Sequence, residues 1–291
     1  MVRESIVAGQ FYPGSKEECQ TELHFYTSNI HIKQPLPEKI VCGIVPHAGW
    51  VFSGDVAGMV FKAIEKINKT VDTFVIFGAT HSGMGNSAAV YDKGSWRTPM
   101  GEIQIDEDFA AEVLKNCKSA KSNSDMHKFE HSIEVQIPFI QYLFKNAKIV
   151  PIMTTPAEYV IALGLQVGQC IRNAKDKKIV CIGSTDLTHY GPRYGFSPKG
   201  KGSKGLDWAR NVNDKNFIDN AIAMDPEKLL IESMDNQNAC GPGAAAATIA
   251  VARELGRTKG IMLAHTHSND VMERRFGQTS EESVGYTGII Y

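Results

Sequence analysis

Residues 39–45 (KIVCGIV) begin the stretch that decides the fold, since this β-branched run ends directly at Pro46-His47-Ala48-Gly49. Residues 54–68 follow with apolar side chains at helical spacing, and residues 71–77 (VDTFVIF) form a second short apolar run before Gly78-Ala79-Thr80-His81. The two short runs predict buried strands, and the segment between them predicts an amphipathic helix. Such a strand–helix–strand unit favours two parallel strands joined by a right-handed crossover.

The same alternation continues along the rest of the chain. Further strands are predicted at residues 148–153, 178–182, 261–264 and 286–291, and further helices at residues 130–146, 156–173 and 240–255. Strands separated by helices predict an α/β protein whose mostly parallel sheet is covered on both faces. We interpret residues 1–291 as one domain. A division at the glycine-rich loop 195–205 is the alternative, but strand candidates lie on both sides of it.

The composition excludes several classes of protein. Of 291 residues, 43% are hydrophobic and 22% are charged, as in average globular proteins. Because 31 basic residues face 32 acidic ones, the chain lacks the basic excess typical of nucleic-acid binding. It also lacks an apolar run of about 18 residues for a membrane helix and the apolar core of a secretory signal. The six cysteines form no C-x-x-C pair, so we expect reduced thiols in a cytoplasmic protein without nucleic-acid or membrane partners.

Two histidines occupy equivalent positions in successive units. His47 and His81 each follow a predicted strand directly and are one strand–helix–strand unit apart. Neighbouring parallel strands lie about 4.8 Å apart, and open α/β sheets bind ligands at the carboxyl edge. The pair is therefore predicted to share a site, although either histidine alone is equally typical of a hydrogen-bonded loop.

Three more residues are candidate functional groups, and two of them, Asp186 and His189, are expected at the same edge. The strand at residues 178–182 leads into Ser184-Thr185-Asp186-Leu187-Thr188-His189-Tyr190, where Asp186 can orient His189 or share a proton with it. A turn capped by Asp186 is the alternative. Cys240 precedes an Ala-rich helix, whose N-terminus favours the thiolate, so it can be a metal ligand or a nucleophile. The other five cysteines are interpreted as packing residues.

Residues 127–131 match H-x-x-E-H, the inverted zinc-peptidase pattern. That mechanism requires both histidines on one helix face, yet His127 follows a stretch typical of a loop. We favour the interpretation in which His131 and Glu134, three residues apart on one helical face, point into the same pocket as His47.

Six short motifs together resemble the Memo family, whose prokaryotic members often carry the label AmmeMemoRadiSam system protein B. They are residues 8–13 (AGQFYP), 46–50 (PHAGW), 78–81 (GATH), 130–136 (EHSIEVQ), 184–190 (STDLTHY) and 239–243 (ACGPG). The motifs occur in order over nearly the whole chain. The family in turn resembles class III extradiol dioxygenases, which implies a three-layer α/β/α fold with one central site.

In those dioxygenases two histidines and a glutamate hold non-haem iron(II), while another histidine acts as acid–base. The resemblance implies that His47 and His81 are ligands, that His189 is the acid–base, and that Cys240 stands where the dioxygenases have a carboxylate. Trp50, in the second motif, is expected at the pocket. Two imidazoles and a thiolate favour copper, zinc or thiolate-bound iron, so ring cleavage itself is not expected.

Three functional hypotheses follow. The first is a protein that binds iron or copper, with zinc as a further candidate, and performs a redox or oxygen-dependent reaction on a small molecule. The second is a metal-free hydrolase in which Cys240 is the nucleophile, His189 the base and Asp186 the orienting group. The third is a binding module for a peptide or a radical S-adenosylmethionine protein, with the loop 195–205 as a contact for an acidic partner.

Overall fold

The computed structural model describes residues 1–28, 30–81 and 87–291. The strands are β1 (Val2–Arg3), β2 (Cys42–Val45), β3 (Thr73–Ala79), β4 (Ala88–Val90), β5 (Ser95–Thr98), β6 (Gly101–Gln104), β7 (Ala120–Ser122), β8 (Lys148–Thr154), β9 (Ile179–Ser184), β10 (His189–Tyr190), β11 (Ile261–His267) and β12 (Ser283–Ile290). The α-helices are α1 (Lys16–Ser28), α2 (Trp50–Asn68), α3 (Glu107–Asn116), α4 (Ile137–Leu143), α5 (Tyr159–Asn173), α6 (Ser203–Trp208), α7 (Lys215–Ile222), α8 (Pro226–Asn236), α9 (Pro242–Glu254) and α10 (Ser268–Phe276).

A mixed sheet forms the centre of the fold. Its strands lie in the order β10-β12-β2-β9-β3-β8-β4-β7, and β11 pairs with β12. The predicted strands β2, β9, β3 and β8 are parallel neighbours. The last strand, β12, runs antiparallel to β2, and β4 runs antiparallel to β8. The predicted parallel sheet is thus confirmed at the centre, where the candidate site residues follow β2, β3 and β9.

Helices pack against both faces of this sheet. A Cβ on Gly43 would lie 2.8 Å from Val60 of α2, whereas a Cβ on Gly183 would lie 2.4 Å from Thr248 of α9. Gly43 pairs with Ile182, so Gly43 and Gly183 face opposite sides of the sheet. The predicted α/β/α arrangement is confirmed, and glycine at these positions lets both helices approach closely. A smaller sheet, β1-β5-β6, lies beside the central one.

The predicted helix over residues 130–146 is wrong in its first part. The chain forms a 3-10 turn over Glu134–Gln136 before α4 begins at Ile137. Just upstream, the Glu130 carboxylate accepts the backbone N–H groups of His131 and Ser132, each at 2.9 Å. Such side-chain-to-backbone bonds compete with helix formation. His131 and Glu134 therefore do not share a helical face.

Two expectations from composition can be compared with the structure. The five cysteines other than Cys240 are buried and free, as predicted for packing residues. Within residues 1–28, 30–81 and 87–291, no helix is long and apolar enough to cross a membrane.

Asp106 joins three elements at the edge of the fold opposite the candidate site. Its carboxylate accepts hydrogen bonds from the Phe109 backbone N–H (3.2 Å), the Thr73 hydroxyl (2.5 Å) and the Lys177 ammonium (2.8 Å). Asp106→Ala is expected to lower the free energy of unfolding by about 2–4 kcal/mol, because it removes a helix cap and leaves a buried hydroxyl unpaired. Urea denaturation at neutral pH measures this loss.

The stabilisation by Asp106 should decrease as the pH falls. Burial raises the pKa of Asp106, but the bonds from Lys177 and Thr73 outweigh it and lower the pKa overall. The stabilisation is therefore complete above the unfolded carboxyl's pKa of about 3.9 and is lost as the pH falls through the lower folded value. The difference in stability between wild type and Asp106→Ala should therefore narrow at acid pH, whereas Asp235→Ala, at an exposed aspartate of α8, should match the wild type throughout. A difference between wild type and Asp106→Ala that does not decrease under acid conditions would contradict this account.

Candidate metal and substrate site

Three of the candidate site residues follow directly after parallel strands of the central sheet. His47 lies two residues beyond β2, Asp186 two residues beyond β9, and His81 two residues beyond β3. Since β2, β9 and β3 are neighbours, their carboxyl ends meet at one edge of the sheet. The rings of His47 and His81 have centroids 5.5 Å apart. The prediction that these histidines meet is confirmed.

His131 brings a third imidazole to the same place. Its ring centroid lies 5.4 Å from that of His47 and 5.0 Å from that of His81. The turn bonded to Glu130, rather than a helix, positions His131 there. The pocket position predicted for His131 is thus reached by a different local structure.

Each of the two strand-end histidines is held through Nδ1. The His47 Nδ1 lies 3.0 Å from the Ser184 hydroxyl, and the His81 Nδ1 lies 3.0 and 3.1 Å from the two oxygens of Glu130. Such partners fix the orientation of metal-binding histidines and leave Nε2 for the ion. Sequence reasoning did not assign this role to Ser184 or Glu130, although both lie within the recognised motifs.

Cys240 contacts His47 directly. The Cys240 Sγ lies 3.1 Å from the His47 Nε2 and accepts the backbone N–H of Asp186 at 3.3 Å. Asp186 uses its Oδ1 to accept the backbone N–H groups of His47 (2.7 Å) and Ala48 (3.2 Å). The carboxylate therefore positions the segment that carries His47, while the sulfur faces the free nitrogen of the His47 ring.

The electrostatics of the cluster oppose a free thiolate. Burial, and then the charge of Asp186, raises the pKa of the Cys240 thiol, so the expected thiolate at a helix N-terminus is not favoured. Burial also lowers the pKa of His47 well below its usual value and raises that of Asp186. The hydrogen bond to Glu130 raises the pKa of His81. His47 is therefore neutral, and the Cys240 thiol beside it lacks a cationic partner.

Two groups of possible ligand atoms in the described part of the chain share His47. One contains His47, His81 and His131, and the other contains His47, Asp186 and Cys240, with all atoms of a group within 4.8 Å of one another. The ligand set implied by the resemblance, His47, His81 and Cys240, takes members from both groups. His47 belongs to both of these groups and to the implied ligand set.

Two adjacent cavities adjoin the cluster. His47, His81, His131 and Asp186 contribute to a cavity of about 540 Å³, and Cys240 contributes to one of about 430 Å³. His189 lines both, with its ring 5.2 Å from that of Tyr194. The His189 Nδ1 lies 3.0 Å from the Leu187 carbonyl, which can only accept, so in the neutral ring Nδ1 carries the proton and Nε2 carries the lone pair.

Two residues expected at the pocket lie elsewhere. Glu134 is fully buried and its carboxylate binds Arg3 at 2.6 Å and the Tyr12 hydroxyl at 2.9 Å. Trp50 is buried against Tyr12 and Phe139, and its Nε1–H donates to the Val135 carbonyl at 3.1 Å. Both side chains lie in the core beneath the site and stabilise the fold there.

The fold and the cluster together define an α/β protein with imidazole, thiol and carboxylate groups at the carboxyl edge of a parallel sheet. The family described as Memo-like protein matches residues 3–290, so this chain belongs to the Memo-like family, as its motifs predicted. It is 37% identical to a MEMO1 family protein of Thermococcus onnurineus over 300 residues, which cover 100% of this chain and 99% of the relative. A MEMO1 family protein of Pyrococcus furiosus is 35% identical with the same coverage.

A solved structure supports the fold. The crystal structure of an uncharacterized protein from Escherichia coli K12 superposes with a TM-score of 0.51 at 12% sequence identity. The match covers 85% of this chain and 99% of the Escherichia coli chain. At this identity the likeness concerns the arrangement of helices and strands.

Proposed function

We propose that this Memo-like protein binds one iron or copper ion through His47, His81 and Cys240, and that the ion serves a redox or oxygen-dependent reaction on a small molecule. The contact that carries the proposal is the 3.1 Å approach of Cys240 Sγ to His47 Nε2, with the opposite ring nitrogen held by Ser184. Ser184 fixes the His47 ring with Nε2 towards the sulfur, an arrangement typical of a metal ligand.

The donor set fits such an ion. Imidazole and thiolate ligands suit iron, copper and zinc, whereas magnesium and calcium prefer oxygen. Burial and Asp186 keep the Cys240 sulfur protonated, so a bound cation would supply the charge that stabilises the thiolate. When bound, iron or copper would supply the capacity to exchange electrons.

The remaining groups suit a small substrate. The cavity of about 540 Å³ is of the size that small-molecule sites usually have. Within it, the Nε2 of a neutral His189 can accept a proton from a bound molecule, because Nδ1 donates to the Leu187 carbonyl. Asp186 holds the backbone of His47 and Ala48 in place. A peptide ligand and a radical S-adenosylmethionine partner remain predictions, which a pull-down from native lysate tests.

The arrangement does not favour the hydrolase hypothesis. The imidazole in contact with Cys240 belongs to His47, and Asp186 is bonded to backbone N–H groups. The raised pKa of Cys240 also disfavours a reactive thiolate. Iodoacetamide should therefore modify Cys240 slowly in the presence of a chelator at pH below 7. Fast modification under these conditions would restore the hydrolase hypothesis.

The metal content of untagged protein tests the proposal. His47→Ala should lose about one equivalent of iron or copper relative to the wild type, because His47 belongs to both groups of ligand atoms. His24→Gln, at an exposed histidine of α1, is the matched control and should retain all metal. Elemental analysis that finds the same metal content in His47→Ala and the wild type would contradict the proposal.

A further inference from the structure

A second cluster of ligand atoms lies next to the segment that carries Asp186 and His189, where the Thr188 backbone N–H donates to Asp214. The Asp214 Oδ2 is 3.0 Å from the Nε2 of His265 and 3.0 Å from the Nε2 of His267, and the two nitrogens are 3.3 Å apart. We propose that Asp214, His265 and His267 form a second metal site, which holds a divalent first-row transition ion such as Zn²⁺ or Fe²⁺. It goes beyond the proposed function because it shares none of that site's residues.

The distances agree with a bound ion. Zinc binds imidazole nitrogen and carboxylate oxygen at about 2.0–2.2 Å, so at angles of about 90–110° neighbouring ligand atoms lie about 2.8–3.6 Å apart. All three distances among Oδ2 and the two Nε2 atoms fall in this range. Two imidazoles and one carboxylate are a donor set that zinc and non-haem iron(II) sites use.

Hydrogen bonding accounts for at most two of the three contacts in this triangle. If both Nε2 atoms carry protons, both donate to Oδ2, and the two donor nitrogens then lie 3.3 Å apart without a hydrogen bond between them. If only one nitrogen is protonated, the lone pair of the other faces a carboxylate oxygen at 3.0 Å. In each case one contact brings together either two donors or two lone pairs, which repel each other. A cation among the three atoms is attracted to all of them.

Local structure creates the cluster. His265 and His267 are two residues apart in β11 and therefore face the same side of the strand. Asp214 ends a π-helix, Ala209–Asp214, a rare conformation that is frequent at functional sites. Opposite His267 in β12 lies Gly285, where a Cβ would come within 2.0 Å of the Asp214 carboxylate. Only glycine at this position leaves room for the carboxylate between the strands.

The surroundings resemble those of known metal ligands. The Ser283 hydroxyl lies 3.4 Å from the Nδ1 of His267, and the Thr188 backbone N–H donates to the second oxygen of Asp214 at 3.0 Å. His267 also lines a cavity of about 380 Å³, which offers an ion a route from solvent.

The test uses a protein whose first site is removed. His47→Ala should still bind one equivalent of added Zn²⁺, and adding His265→Gln should weaken that binding by more than about 100-fold, since loss of a direct ligand exceeds the usual effect of its supporting partners. His265 is partly exposed, so the change should be tolerated by the fold; circular dichroism checks this. Adding His24→Gln instead is the matched control and should leave Zn²⁺ affinity unchanged.

Co²⁺ spectroscopy supplies a readout that does not need the His265 variant. In His47→Ala, bound Co²⁺ should show ligand-field bands without the near-ultraviolet charge-transfer band of a thiolate ligand, because the second cluster contains no sulfur. If His47→Ala binds neither Zn²⁺ nor Co²⁺, or if folded His47→Ala/His265→Gln retains full affinity, the second site is overturned. Neither result would alter the outcome of the metal analysis that tests the first site.

Discussion

Replacing Arg3 by methionine is expected to lower the free energy of unfolding by about 3–5 kcal/mol, the cost typical of breaking a buried ion pair from one side. Arg3 is 6% exposed and its Nη1 binds the fully buried Glu134 carboxylate at 2.6 Å. Without the guanidinium, the Glu134 charge would remain in the core with only neutral donors. Chemical denaturation of the folded variant measures the loss.

Arg3 also organises the segment behind the candidate site. Its Nε donates to the His127 carbonyl at 2.8 Å and its Nη2 to the Glu130 carbonyl at 2.7 Å. The guanidinium lies 4.0 Å from the centre of the Trp96 ring. Arg3 thus links the N-terminal strand β1 to the turn that positions His131.

Arg97→Met is the matched control for this prediction. Arg97 pairs with Glu4 at 2.7 Å and with Glu102 at 2.6 Å, but all three side chains are exposed. Exposed ion pairs contribute little to stability because water and salt screen their charges, so this variant should be nearly as stable as the wild type. If the losses in the two variants are equal, burial of the Arg3–Glu134 pair does not have the energetic role assigned to it.

The parallel centre of the fold and the convergence at its edge were predictable because both follow from local patterns. Buried parallel strands are continuous apolar runs, and His47, His81 and Asp186 each follow such a run within a few residues. The placement of Cys240 came from the family resemblance rather than from periodicity. Its contact with His47 is between residues far apart in the chain, which no local pattern specifies.

The incorrect predictions, a helix from residue 130 and a pocket position for Glu134, have a common physical cause. Long-range polar contacts outweigh local spacing there. Periodicity predicts a helix through His131 and Glu134, but the Glu130 carboxylate binds the backbone there and Arg3 draws Glu134 into the core. The pair His265 and His267 has the two-residue spacing that places ligands on one face of a strand, a signal the sequence does contain. Its partner Asp214 lies in a π-helix that periodicity does not predict.

Glu130→Gln is expected to weaken metal binding at the His47 site by about 10–100-fold, the range typical of changes in groups that support metal ligands. Glu130 binds the His81 Nδ1 with both oxygens and also accepts the backbone N–H of His81 at 3.1 Å. Burial raises the pKa of Glu130, but the hydrogen bond and charge of His81 bring it to about 2, so the group is ionised at neutral pH. Glutamine removes that charge and makes the His81 ring a weaker donor to the ion. A competition titration with a chromophoric chelator measures the change.

Glu134→Gln separates this effect from general loss of stability. Glu130 and Glu134 belong to the same motif and both are buried, but Glu134 is bonded to Arg3 and Tyr12 rather than to an imidazole. The Glu134 variant should therefore lose stability while the folded protein keeps its metal affinity. If both variants weaken metal binding equally, Glu130 acts on the fold and not on His81. If only Glu130→Gln does so, the carboxylate supports the metal through the ring it orients.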